Sequence, residues 1–307
     1  EVELGLRLAA SLSPFWYLRG YLTEGRGWVE GLLALGVRMA GTEDAGSEGA
    51  LSGSAVARAK ALGAASNFAE VQGNDERALA AAEEALALAR GQQAGWATGV
   101  ALEKLGVAAW VRGDLEQATA YIEESVAQLR AAGEPWMAAV YLTHVGEIAL
   151  DRGDLERATA CYEESLAFAR RTGADHPQGF ALEGLADVAR LRGDLASAER
   201  LGREQLQVWR QLSSPIHVAL ALENLVLTAV ATGEGAQAER AARLLGAMVA
   251  LRERVGVAQG PRLQTLAEQA AASARAVLGE ERWAAAYAAG RALSVEEAIA
   301  EALDETP

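Results

Sequence analysis

The chain has 307 residues and a formal net charge of −14, with 28 lysines and arginines against 42 aspartates and glutamates. That balance argues against nucleic acid or an anionic membrane surface as a partner, and the single cysteine, Cys161, excludes a disulfide framework or a thiolate metal cluster. Alanine, leucine, glutamate and arginine dominate while phenylalanine, proline and β-branched residues are scarce, so the expected fold is all-α.

In chain order, residues 3–18 predict a helix carrying Leu4, Leu6, Leu8, Leu12, Phe15, Trp16 and Leu18. Pro14 either kinks it or marks its boundary. Arg19-Gly20 stops it, and Tyr21 to Met39 predicts a second helix around Leu22, Trp28, Val29, Leu32 and Leu35, so residues 1–40 read as a divergent N-terminal helical hairpin. Residues 41–53, rich in glycine, serine and acid, read as a loop insertion. Residues 54–254 predict five hairpins: 54–71 with 75–90, 95–111 with 114–131, 135–151 with 154–171, 177–191 with 194–212, and 215–231 with 235–253. Residues 255–307 predict helices over 261–278, 280–291 and 294–303, which would cover the apolar end of the last hairpin.

The hairpins rest on one motif. Arg112-Gly113-Asp114-Leu115 returns as Arg152-Gly153-Asp154-Leu155 and Arg192-Gly193-Asp194-Leu195, with weaker copies at Gly73 and Gly233, a period of 40 residues. Glycine takes the left-handed conformation that ends a helix. The Asp after it accepts hydrogen bonds from the free N–H groups of the next helix, and Gln117, three residues after Asp114, would complete a capping box. Gly133 and Gly173 close second helices, and Pro135, Pro177 and Pro215 fall near first-helix starts. Small residues recur in register at Gly106, Gly146 and Ala186, and at Ala78, Ala118, Ala158, Ala198 and Ala238, where they let helices approach closely. Leu105, Val145, Leu185 and Leu225 fill the space between them.

Leu105-Gly106, Gly113-Asp114 and Ala118, with Val145-Gly146, Gly153-Asp154 and Ala158, resemble the tetratricopeptide repeat (TPR). Leu102 and Ala109 stand where the repeat usually has aromatic residues, and the 40-residue period exceeds the usual length. The segment from Leu8 to Arg26, the stretch Arg240 to Ala247, and the tail motifs Leu278 to Trp283 and Gly290 to Ser294 resemble the repeat region of bacterial STAND-type ATPase and LuxR-type transcriptional regulators. The resemblance implies a right-handed superhelix of about six TPR-like hairpins with C-terminal capping helices. It also implies a non-catalytic sensor and interaction segment of a signalling or transcriptional regulator; a generic TPR scaffold for a protein or peptide is the alternative.

No G-x-x-x-x-G-K-[ST] occurs, so a nucleotide-binding module would lie in another segment, as would any DNA reader. The start at Glu1 reads as a fragment of something longer. Without a secretory h-region or a charge-free run of about 18 apolar residues, a cytoplasmic location is expected. No metal or cofactor is expected. His176 and His217 flank helix starts and read as turn or cap residues, while His144 lies on a first helix and can face a groove. Cys161 replaces Tyr121 of the previous repeat and reads as a packed small hydrophobe. The pairs Glu83-Glu84, Glu123-Glu124 and Glu163-Glu164 read as a solvated face, and Ser125 and Ser165 have no base in register.

In the repeat family, first helices line the concave surface. Carried onto this chain, one register gives Glu103, Thr143, Glu183 and Glu223, and a second gives Asn67, Val107, Glu147, Asp187 and Leu227. A third gives Glu70, Trp110, Leu150, Arg190 and Val230, and a fourth gives Phe180 and Leu220. The expected groove is acidic, with Arg190 as local counter-charge and Trp110 and Phe180 as platforms. Its expected occupant is a protein or peptide, or a small polar inducer of basic or polyhydroxyl character.

Overall fold

A computed structural model describes residues 1–40, 48–256 and 261–305. Among these the chain is helical without strands. The helices are α1 (Val2–Arg19), α2 (Leu22–Ala40), α3 (Glu48–Val71), α4 (Asp75–Gly91), α5 (Gly95–Val111), α6 (Leu115–Ala131), α7 (Pro135–Asp151) and α8 (Leu155–Thr172). They continue as α9 (Asp175–Leu191), α10 (Leu195–Gln211), α11 (Pro215–Ala231), α12 (Gly235–Val255), α13 (Pro261–Leu278), α14 (Glu280–Arg291) and α15 (Val295–Ala302).

The Gly-Asp motif works as its chemistry requires. Gly113, Gly153 and Gly193 have φ of 82°, 75° and 79°, a region that side chains with a Cβ enter only with strain. At the end of α5, Gly113 N donates to Trp110 O and Asp114 N to Ala109 O, which satisfies two of the last free carbonyls. Asp114 then turns its carboxylate to the N–H of Gln117 at 3.0 Å, Asp154 to that of Arg157 at 3.0 Å and Asp194 to that of Ser197 at 3.1 Å. One residue therefore ends one helix and starts the next. The reciprocal box expected at Asp114 and Gln117 does not form, because Gln117 contributes only its backbone; a full box forms at Ser294 and Glu297.

α1 continues through Pro14. The proline removes the N–H that would reach Ala10 O, and the Ser13 hydroxyl donates to that carbonyl at 2.9 Å. The core takes Leu6, Ala9 and Trp16 from this helix, while Leu4, Leu8 and Phe15 are exposed. α3 begins at Glu48, inside the stretch read as a loop over 41–53. Glu48, Ala50 and Leu51 are good helix formers, and no proline interrupts them; residues 41–47 lie outside the described ones.

The described chain divides into two compact units: Glu1–Tyr17 with Tyr21–Arg152, and Leu18–Gly20 with Gly153–Pro307. In the first, α3 to α7 pack in succession and α3 also meets α5. Gly99 faces Leu129 and Gly106 faces Ile122, with no room for a Cβ at either glycine. In the second, α8 to α12 pack in succession, α13 and α14 close on α12, and α15 returns to α10, α11 and α12. Trp209 fits over Gly179 and Tyr162 over Gly184. Ala118, Ala158 and Ala198 have no exposed surface, as their register predicts.

Candidate ligand-binding site

In the first unit, α3, α5 and α7 bring Asn67, Glu70, Glu103 and His144 around Lys104. Lys104 Nζ lies 2.9 Å from Glu70 Oε2, 3.1 Å from Glu103 Oε2 and 3.3 Å from Asn67 Oδ1. The other oxygen of Glu103 is 3.0 Å from His144 Nδ1. The Tyr141 ring stacks on the imidazole with centroids 5.8 Å apart.

Burial alone would raise the Glu103 carboxyl; the Lys104 ammonium and the His144 hydrogen bond outweigh it and hold it at about 2. Burial opposes the charge on Lys104, but Glu103 and Glu70 raise it well above the usual lysine value. His144 is likewise raised against burial by Glu103, with Glu147 adding to it. Burial, then the Glu103 charge, pushes the Tyr141 phenol up. The cluster is a paired, charged network, and about a fifth of the His144 side chain stays open to solvent. Glu147 and Trp110 are half-buried, and Trp110 Nε1 donates to Asp151 at 2.5 Å.

In the second unit, Glu183 Oε2 accepts from the fully buried Gln205 at 2.9 Å, and its backbone carbonyl accepts from Asn224 at 3.4 Å. Asp187 pairs with Arg190 at 2.5 Å, and Glu223 pairs with Arg252 at 2.7 Å with both side chains buried. Phe180 joins His176, Trp209 and His217 in an aromatic cluster, where Trp209 and His217 stack with centroids 4.1 Å apart. Ser214 Oγ lies 2.7 Å from His217 Nδ1.

Three of the four members of one register of the expected groove are turned inward, and Glu183 is half-buried. Glu103 and Thr143 are fully buried and Glu223 is 5% exposed, so none lines an open surface. Glu103 follows Gly99 by four residues and precedes Gly106 by three, and so shares the face that packs on α6. Thr143 donates to Val140 O at 2.6 Å within its own helix. His217 is likewise a core residue, and His176 is half-buried against it with ring centroids 5.3 Å apart. Burial pushes His176 down to about 4, and it drives His217 well below the usual imidazole value, so both rings are neutral at pH 7.

Two central residues escaped the sequence reading, though each left a signal. Lys104 is one of two lysines in a chain whose positive charge is otherwise arginine. Tyr141 interrupts a register of fully buried alanines, Ala61, Ala101, Ala181 and Ala221. As for the catalytic candidates, Ser125 Oγ donates to Gly99 O at 2.6 Å, Cys161 is half-buried, and the glutamate pairs are exposed. Among the described residues no helix is long and apolar enough to cross a membrane.

A family model described as the MalT-like TPR region matches residues 58–287. The chain belongs to that family. No curated protein sequence matches it significantly. Among solved structures, it is similar to the Rap protein complexed with Competence and Sporulation Factor, with a TM-score of 0.59 and 10% identity over 93% of this chain and 78% of that one. It is also similar to a STAND protein with a tetratricopeptide repeat sensor from Pyrococcus horikoshii, with a TM-score of 0.55 and 15% identity over 88% of this chain and 40% of that one. BtubC from P. vanneervenii gives a TM-score of 0.52 and 14% identity over 80% of this chain and 91% of that one. At these identities the structural likeness establishes a shared repeat fold.

Proposed function

We propose that this MalT-like TPR region is the non-catalytic recognition segment of a STAND-type signalling or transcriptional regulator. In this reading the first-helix face of α3, α5 and α7 receives a protein, a peptide or a small polar inducer. The observation that carries it is the polar and charged network of Asn67, Glu70, Lys104 and His144, with Glu147 beside it, on the first helices of consecutive repeats. Charged groups at a partly open surface favour a ligand that completes their pairing, and the acidic excess there favours a basic or polyhydroxyl one. Two of the similar structures support a sensing role by what they are described as: one in complex with a factor, the other carrying a TPR sensor. Only the buried members of the expected groove change their part. On this face Glu103 and Thr143 support the surface, and Asn67, Glu70, His144, Glu147 and Trp110 are the contact residues.

A thermal-shift screen against polyamines, basic peptides and oligosaccharides tests this. A true ligand should raise the melting temperature of the parent and fail to do so in Glu70→Gln and Glu147→Gln, which keep shape and lose charge. Ligands whose effect survives both changes would place recognition elsewhere. A Walker motif encoded upstream in the full gene would support the STAND assignment against a free-standing scaffold.

A further inference from the structure

The second unit builds one groove twice and fills only one copy. α15 lies along α10 and α12 with Ala298, Ile299 and Ala302 buried. Its acidic end is held by arginines. Arg243 grips Glu301 through two bonds of 2.6 Å, Arg240 donates to Ala302 O at 2.7 Å, Arg210 pairs with Glu305 at 2.8 Å, and Arg203 pairs with Asp304. Forty residues back, Arg210 becomes Arg170, Arg240 becomes Arg200, Leu206 becomes Leu166 and Leu225 becomes Leu185. Those four residues line a cleft of about 460 Å³ among α8, α9 and α10, with Leu201 in its wall and Arg192 at its rim.

We propose that this cleft docks a short amphipathic helix of a partner protein, with small apolar side chains on one face and an acidic C-terminal turn. This site is distinct from the first-helix network and does not depend on it. The filled groove shows what such a surface takes: i, i+1, i+4 apolar contacts, a carboxylate for the arginine on the earlier helix, and a terminal carbonyl for the arginine on the later one. Arg170 and Arg200 hold those two places and share Glu204, at 2.8 and 4.0 Å, with side chains 54% and 65% exposed. A surface pair of that kind exchanges readily for a better partner.

Two substitutions define the partner further. Glu163 stands where the filled groove has Arg203, so the docked helix carries a basic residue where α15 has Asp304. Thr159 stands where Glu199 bridges Arg203 and Arg240, which leaves Arg200 without the close carboxylate that Arg240 has. The docked helix supplies it.

The probe is a fluorescein-labelled peptide of the sequence Ser294 to Glu305 carrying Asp304→Arg, titrated against the full chain by anisotropy. Saturable binding is expected, tighter than for the unmodified peptide and weakened by salt. Arg170→Glu and Arg200→Glu should each weaken it by about tenfold or more, with unchanged helical circular dichroism. A photocrosslinker at the Ile299 position should label Leu166 or Leu201. Absence of saturable binding, indifference to both arginine changes, or labelling of the α10–α12 groove would overturn the proposal. So would concentration-dependent dimerisation of the chain lost on Arg170→Glu, which would assign the cleft to a second copy.

Discussion

Glu103 is a carboxylate with no exposed surface, stabilised from two sides by Lys104 and His144. Lys104→Met should therefore cost about 3 kcal/mol in urea unfolding, since a buried charge that loses one partner is left uncompensated. The loss should grow above pH 6.5. The His144 imidazole is raised in the folded chain, so its contribution is complete below the unfolded value of 6.5 and fades as pH rises through the folded value. An equal loss at pH 6 and pH 9 would mean that His144 does not share the charge. Glu183 shows the same logic through a hydrogen bond to a buried amide. The repeat register places its side chain in an open groove, where Glu183→Ala with Asp187→Ala would leave folding intact. Because Glu183 satisfies the buried Gln205, that variant should lose about 1–2 kcal/mol. Backbone strain is the third residue-scale effect. Gln93 and Ser213 sit at φ of 53° and 49° in the register where Gly133 and Gly173 sit. Ser213→Gly should stabilise by about 0.5–1 kcal/mol, and Gly113→Val should destabilise by at least about 1 kcal/mol. Melting of either variant at the parent temperature would refute the left-handed helix stop as the source of the hairpin.

Among the elements, α12 is the one whose surface most needs a cover. Leu244, Leu245 and Met248 are almost fully buried, and α13, α14 and α15 all pack on α12. α14 crosses it at a point where Gly246 meets Tyr287 O and Gly290 meets Arg243 O, with no space for a Cβ at either glycine. Gly290→Leu should prise α14 away and expose that surface, and removal of residues 256–307 should do so fully. The expected readout is aggregation with strong binding of a hydrophobic dye, as for repeat arrays that lack a terminal cap. A monomeric truncated chain with undiminished unfolding cooperativity would make these helices an appendage.

At the scale of the whole molecule, the two units lose stability to acid in different pH ranges. In the second, His176 accepts a proton only near pH 4 when folded and burial holds His217 well below its usual value, whereas an unfolded imidazole does so near 6.5. Unfolding then takes up protons, so stability falls as pH drops from 6.5 toward 4. In the first unit, Glu103 titrates at about 2 when folded against 4.5 when unfolded, so its contribution holds until pH falls below 4.5 and is lost on the way to 2. Hydrogen exchange at pH 5, corrected for intrinsic rate, should show α9 to α11 loosened relative to pH 7 and α5 to α7 unchanged. Equal protection of α9 to α11 at both values would contradict the neutral-histidine core.

The hairpin period, the helix limits from α4 to α14 and the small-residue registers were legible in the sequence. Their causes are local: a positive φ at Gly113, a carboxylate at Asp114 and a clash-free face at Gly106 each act within a few residues or across one hairpin, so periodicity displays them. The tertiary structure decided matters that depend on partners far along the chain. It turned Glu103 into the core while Lys104, one position on, reached back across α3. It set Trp209 over Gly179 and His217. It brought Asp304 to Arg203, 101 residues away, so that one groove is filled and its copy one repeat earlier is open. A repeat pattern tells which residues are equivalent, but equivalent positions differ in burial and charge once unlike helices pack against them.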